Sequence, residues 1–245
     1  MRDIDVLVIV AHPDDAELAC GGTIAKLTKE GRSVAIVDMT KGELGTRGTA
    51  EIRMKEASEA ARILNIVDRR NLEISDGNIE INEENIIKTI QAIRYYRPKI
   101  IVMNPAFERH PDHQNAHNLV RNSIFKSGLT KVKTFYQGEE QTPYRTRKMY
   151  SFMQSYHFEK RPDFCVDITD TFSIKMNAIK AYSSQVYVPG KSVSSEPTTR
   201  LSRPEFIEEL ESRAIHYGTL VGVRYAEPFL AIEPIMVSSM SLLLQ

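Results

Sequence analysis

The feature that most limits what this chain can fold into is Asp5-Val-Leu-Val-Ile-Val-Ala11, an unbroken apolar run rich in β-branched residues. Such a run reads as a strand buried on both faces, and strands of that kind belong to parallel sheets covered by helices. A turn follows, then a helical pattern from Ala16 to Glu30 that stops at Gly31, then a second buried strand over Ser33 to Met39. That is a βαβ unit. The alternation continues with amphipathic helices over Ala50 to Leu64 and Asn82 to Tyr96, and with a strand over Lys99 to Met103 just after Pro98. A helix over Pro111 to about Lys126, strands over Met149 to Ser155 and Phe164 to Ile168, and a helix over Asp170 to Tyr182 come next. A closing helix over Pro204 to Tyr217, capped by Ser202, and a last strand over Tyr225 to Ile232 end the pattern. It predicts an α/β fold of Rossmann-like character. The sheet is mostly parallel, helices cover both faces, and the strand C-terminal ends stay open as a ligand crevice.

A length of 245 residues with 42% hydrophobic content suits one α/β domain over 1–245 with a core that needs no disulfides. The 32 basic and 32 acidic residues cancel, so no overall field favours nucleic acid or an anionic membrane, and a small molecule is the expected partner. Cys20 and Cys165 are far apart and lack CxxC spacing, which gives neither a disulfide framework nor a thiolate zinc site. A reducing, cytoplasmic setting is the simplest expectation. The apolar stretch Ile235 to Leu244 is about half the ~20 residues of a spanning helix. Residues 183–202 show no periodicity and are rich in Ser, Pro and Gly, which reads as a functional lid or a disordered excursion.

Chemistry concentrates just beyond the first strand, where Ala11-His12-Pro13-Asp14-Asp15-Ala16-Glu17 places an imidazole among carboxylates. Charges there are costly unless paired, and a divalent cation is an economical partner for a neutral imidazole beside a carboxylate. Taken alone, the segment reads equally as a turn with helix-capping aspartates. A second cluster, Asn104-Pro-Ala-Phe-Glu-Arg109-His110-Pro111-Asp112-His113, follows the strand that ends at Met103. Two His-Pro-Asp clusters at strand ends can converge on one crevice. Two His and one carboxylate would leave an open coordination position, the arrangement of a catalytic zinc.

AHPDDAE after the first strand, with HPDH about a hundred residues later, resembles the PIG-L or LmbE-like family of zinc-dependent deacetylases. Gly45-Thr-Arg-Gly48, Glu51-Ile-Arg53 and Ala181-Tyr-Ser-Ser-Gln185 also resemble family segments, most closely those of the bacillithiol-pathway branch that deacetylates N-acetylglucosaminyl malate. The resemblance implies His12, Asp15 and His113 as metal ligands, Asp14 as general base and His110 as the second acid-base residue. It further implies a homo-oligomer, with a hexamer as one expectation. Asp14 and Asp15 are adjacent and cannot point the same way, so one can bind metal while the other faces the water. A protonated His110 would then stabilise the oxyanion. Either Asp14 or His110 can protonate the amine.

Arg53, early in a helix after the Gly42 to Gly48 loop, is a candidate for gripping a substrate carboxylate, against a reading as an exposed helical charge. Arg47 and Arg109 are candidates of the same kind. Gln185 and Tyr187 border the irregular segment and offer hydrogen bonds to a sugar, or simply pack the loop. His117 shares a helix face with His113, but without an HExxH pattern it reads as a residue behind the ligands or on the surface. His157 and His216 lie outside any cluster. Gly21-Gly22 lacks the GxGxxG fingerprint, so nucleotide binding is rejected. Rival readings are deacetylation of a mycothiol-type or chitooligosaccharide substrate, a non-haem Fe(II) oxygenase on the same ligands, and a sugar-binding or metal-storage module. Ligand type does not separate zinc from iron.

Overall fold

The structure is a computed structural model that describes residues 2–190 and 196–243. In chain order its elements begin with β1 (Val6–Val10), α1 (Asp15–Lys29), β2 (Val34–Asp38), α2 (Ala50–Ile63) and β3 (Asp68–Asn71). Next come α3 (Glu83–Tyr96), β4 (Ile100–Met103), α4 (Pro111–Ser127) and a short hairpin of β5 (Phe135–Tyr136) with β6 (Glu139–Glu140). The chain continues through β7 (Lys148–Phe152), β8 (Phe164–Asp167), α5 (Phe172–Ala181), α6 (Pro204–Val221) and β9 (Ala226–Ala231). Seven strands form one sheet in the order β3-β2-β1-β4-β7-β9-β8. The first five are mutually parallel, and β9 runs antiparallel to both neighbours.

The apolar run of β1 explains the layering. Leu7 and Ile9 point into a core shared with Ile90 and Ile93 of α3 and Leu119 and Val120 of α4. Val6, Val8 and Val10 point the other way, onto Ala16 and Ile24 of α1, Ala57 of α2 and Ala178 of α5. Each of the Val, Leu and Ile side chains contributes roughly 1.5–3 kcal/mol by leaving water. β1 pairs with β2 on one side and β4 on the other, so the strand order reverses there and a crevice opens at the C-terminal ends of β1 and β4. Among the described residues no helix is long and apolar enough to cross a membrane.

The structure departs from the sequence expectation in several places. β3, with the sequence Asp-Arg-Arg-Asn, carries no apolar residue. It holds its edge position because Arg69 forms a two-pronged pair with Asp38 and a further bond to Glu17. The β5–β6 hairpin lies in a stretch without strand periodicity. Ser202 is not the cap of α6: Arg203 takes that position, and the Ser202 hydroxyl bonds back to Thr199 O at 3.2 Å. Of the irregular stretch 183–202, residues 191–195 lie outside the described residues, and Leu201 O accepts from Tyr187 N at 3.2 Å.

Helix α1 is broken at Cys20, where φ is −134° and ψ is 22°. The break exposes N–H groups that β9 satisfies: the Glu227 carboxylate accepts from Gly22 N at 3.0 Å and from Thr23 N at 2.7 Å. Lys175 Nζ lies 2.6 Å from the same carboxylate, and both side chains are buried. Gly22 is required by packing, since a Cβ there would meet Ile168 at 2.7 Å. That contact, not phosphate binding, accounts for the glycine. Removing one partner of a buried pair strands the other charge and costs about 3–5 kcal/mol. Glu227→Gln is therefore expected to lower unfolding free energy by that amount in urea titrations. The double variant Lys175→Met with Glu227→Gln should regain most of the loss.

Candidate functional site

Both His-Pro-Asp clusters leave strand ends at the crevice. The β1–β4 register sets Ile9 against Met103, and one step further Ala11 N donates to Asn104 Oδ1 at 3.0 Å. This clasp brings His12 beside the N-terminus of α4. Between β1 and α1 the chain turns so sharply that Asp14 adopts φ 113°, a strained conformation for a residue with a side chain. The turn sends the adjacent aspartates apart. Asp15 faces His12 and His113, whereas Asp14 faces Arg53.

His12 Nδ1 and His113 Nε2 are 3.3 Å apart, and Asp15 Oδ1 lies 3.3 Å from His113 Nε2. Two nitrogens held by one tetrahedral zinc at ~2.05 Å would lie about 3.3 Å apart. The tautomer of His12 agrees with this, because its Nε2 lies 2.9 Å from Asp76 Oδ1 and 3.3 Å from Asp112 Oδ2. A proton on Nε2 leaves the Nδ1 lone pair facing His113 and Asp15. His12, Asp15 and His113 thus present one ligand atom each, all within 4.8 Å of one another. The chain alone draws positive charge to the same spot. Burial disfavours the His12 imidazolium, yet Asp112, Asp15 and Asp76 outweigh it and raise its pKa well above the usual value. A divalent cation supplies that charge without the proton. The donor set therefore fits zinc, and by ligand type it fits ferrous iron as well.

Asp15 is fixed from behind by Asn104 Nδ2 at 3.3 Å and by a hydrogen bond from Gln154 Nε2. Asp14 is 3% exposed and holds Arg53 Nη2 at 2.7 Å through Oδ2. Burial pushes its carboxyl up to about 6, with Arg53 opposing the rise and the Asp15 charge adding to it. His110 caps α4, its Nδ1 accepting from Asp112 N at 3.2 Å. Burial, followed by His12 and His113, lowers its pKa. With Nδ1 accepting from Asp112 N, the ring is left to donate from Nε2.

These groups line a cavity of about 370 Å³, within the range of small-molecule sites. Leu44, Gly45 and Thr46 of the glycine loop contribute to its wall, as do Leu201, Phe206 and Leu210. Arg109, Arg200 and Arg213 line it too. Arg109 is exposed, and its guanidinium has no partner among the described residues. Arg200 and Arg213 share one carboxylate oxygen of Glu209.

Residues 7–124 match the PIG-L family, described as GlcNAc-PI de-N-acetylase. A crystal structure of a conserved protein from Thermus thermophilus superposes with a TM-score of 0.82 at 34% identity, covering 96% of this chain and 97% of that one. The chain belongs to the PIG-L family. It is 28% identical over 232 residues to the diacetylchitobiose deacetylase of Thermococcus kodakarensis, covering 91% of this chain and 80% of that protein. It is also 28% identical over 193 residues to the Bacillus cereus protein named probable N-acetyl-alpha-D-glucosaminyl L-malate deacetylase 2, covering 74% and 83% respectively.

Within this PIG-L chain several sequence-based expectations are redirected. Arg53 is buried and donates from Nε to Pro13 O at 3.1 Å, from Nη1 to Gly42 O at 3.4 Å and from Nη2 to Asp14. Its fork is engaged by the protein, and Arg53 also lines the cavity. Arg47 is buried outside the cavity wall, donating to Ser184 O, Glu196 O and Pro197 O. Gln185 donates to Arg47 O at 2.7 Å, and neither it nor Tyr187 lines the cavity. These residues bind the loops to one another. His117 is buried behind the site, its Nδ1 2.9 Å from Asn104 O, while His157 packs near His216 and Tyr217 away from the cavity. Sequence reasoning missed Asp76, Asp112, Asn104 and Gln154. Asp112 and Asn104 sit inside the second cluster and could have been found by asking what orients each ligand.

Zinc titration with chelator competition checks the centre. His113→Ala is expected to weaken binding by more than about 100-fold, beyond the ~10–100-fold typical of residues behind a ligand, and His117→Ala by no more than that range. Equal affinities for wild type and His113→Ala would refute the assignment of the donor atoms.

Proposed function

We propose that the chain is a metal-dependent hydrolase that removes the acetyl group from an N-acetylglucosaminyl conjugate, with N-acetylglucosaminyl malate as substrate. The observation that carries the reading is the 3.3 Å approach of His12 Nδ1 to His113 Nε2, beside Asp15 and next to the buried Asp14. His12, Asp15 and His113 would hold the cation. When bound, a divalent cation lowers the pKa of a coordinated water to about 7 and polarises a carbonyl oxygen.

The remaining steps belong to side chains. Arg53 holds Asp14 by Oδ2, and Oδ1 makes no hydrogen bond among the described residues, so it can accept the proton of the attacking water. General-base help of this kind is typically worth ~10²–10⁴-fold. Neutral His110 donates from Nε2 to the oxyanion that develops on the acetamide oxygen, since its Nδ1 is engaged by Asp112 N. Removing one such donor costs about 3 kcal/mol. The proton taken by Asp14 is then available to the departing amine, giving acetate and a free amino sugar.

The cavity wall favours an anionic conjugate. Arg109, Arg200 and Arg213 face it with Glu209 as the shared counter-charge of the last two, and malate brings carboxylates that such forks bind well. The names of the relatives support the deacetylase class and include both kinds of substrate.

Amine release from N-acetylglucosaminyl malate, diacetylchitobiose and N-acetylglucosamine, with metal content assayed in parallel, tests the reading. Asp14→Asn should keep its metal and lose ~10²–10⁴-fold in kcat. Arg109→Ala should raise KM for the malate conjugate by about 10-fold or more, as expected for a lost charged hydrogen bond, and leave the neutral substrates unaffected. Equal kcat/KM on the neutral disaccharide would overturn the malate assignment. No amine from any of the three by the zinc-loaded protein would overturn the hydrolase.

A further inference from the structure

Asp76 has no assigned role in the chemistry above, yet it touches a candidate ligand and the cavity wall at once. Its Oδ1 lies 2.9 Å from His12 Nε2, and its Oδ2 accepts from Leu44 N at 2.9 Å. Its own N–H donates to Glu43 Oε1 at 2.9 Å. Glu43 and Leu44 belong to the loop bounded by Gly42 and Gly48, whose φ values are 66° and 67°. The loop presents Leu44, Gly45 and Thr46 to the cavity.

We propose that Asp76 is a positioning residue that fixes the metal-binding pose of His12 and makes that pose depend on the loop 42–48. This rests on His12 being a metal ligand. An imidazole that offers Nδ1 to a cation must carry its proton on Nε2, and a carboxylate accepting that proton fixes both tautomer and ring angle. Asp112 is a second acceptor, at 3.3 Å, and it is anchored to Gly77 N at 2.8 Å, so the turn at residues 76–77 brings both acceptors to His12. Only Asp76 also binds the loop. Its two oxygens divide the work, one for His12 and one for Leu44, and a change in the loop backbone is therefore transmitted to the ring.

A parallel connection runs through Arg53. Arg53 joins Gly42 O to Asp14, at 3.4 Å and 2.7 Å respectively. The same loop is thus connected by one side chain to His12 and by another to the neighbouring carboxylate Asp14. A substrate resting on Gly45 and Thr46 would press on both connections.

Zinc affinity by chelator competition and the visible spectrum of the cobalt(II)-substituted protein test the proposal, with Asp76→Asn and Leu44→Pro beside wild type. In Asp76→Asn the amide nitrogen cannot accept from either donor, so one of the two bonds is lost. The expected result is ~10–100-fold weaker zinc binding with an altered cobalt spectrum. Leu44→Pro removes the loop's N–H without touching a side chain at the centre, and it should shift affinity and spectrum in the same direction by a smaller factor. Wild-type affinity and spectrum in Asp76→Asn would overturn the proposal, even if KM rises, because Asp76 would then serve the substrate alone. An unchanged Leu44→Pro would overturn the dependence on the loop. If wild type itself binds no zinc, the failure lies with the metal reading and is seen before either variant is compared.

Discussion

Two imidazole nitrogens facing each other at 3.3 Å, contributed by residues 101 positions apart, are the constraint on which the rest of the site depends. Nothing in either segment alone could hold that approach. It follows from the parallel register of β1 with β4, which aligns their C-terminal ends, and from the bond between Ala11 N and Asn104 Oδ1. Asn104 also reaches Asp15 and, through its carbonyl, His117. One side chain at a strand end thereby connects the sheet to the donor cluster.

Around this centre the fold accepts a large buried charge. Asp14 pairs with Arg53, Glu17 and Asp38 with Arg69, and Glu227 with Lys175, each pair buried and each joining segments distant in sequence. Buried pairs of this kind return little net stability, because desolvation offsets much of their attraction, but losing one member is expensive. Their effect is to make geometry unforgiving. The break in α1 at Cys20, which could have been a defect, is held open by a carboxylate from β9 that caps its second half. The strained backbone at Asp14 is tolerated because Arg53 and the start of α1 hold the residue from both sides.

Much of this was legible in the chain. The β-branched run of β1, the helical periodicities and the two His-Pro-Asp clusters identified the sheet, its open edge and the donors, since each signal depends on neighbours within a few residues. Arg53 was legible as a functional position but not in its role: a guanidinium in a sequence advertises donors, and only the fold shows that they go to Pro13, Gly42 and Asp14. Arg47 and Gln185 bond across loops and, like Tyr187, lie off the cavity wall, which for Gln185 and Tyr187 matches the loop-packing alternative. β3 escaped notice because its inward charges are matched by Asp38 and Glu17 rather than replaced by apolar residues.

The family match ends at residue 124, whereas Gln154, Arg200, Phe206 and Arg213, which complete the cavity, lie beyond it. The chemistry is local. Adjacent aspartates must diverge, a buried apolar strand must find parallel neighbours, and a His-Pro-Asp cluster at a strand end must face a crevice, so residue order was enough to reveal these features. Which arginines face the cavity, which carboxylate accepts a hydrogen bond from His12, and which loop bears on it were decided by contacts between segments tens of residues apart. Those contacts depend on register and helix packing, whose free energies are summed over the whole core and leave no mark in any short stretch of sequence.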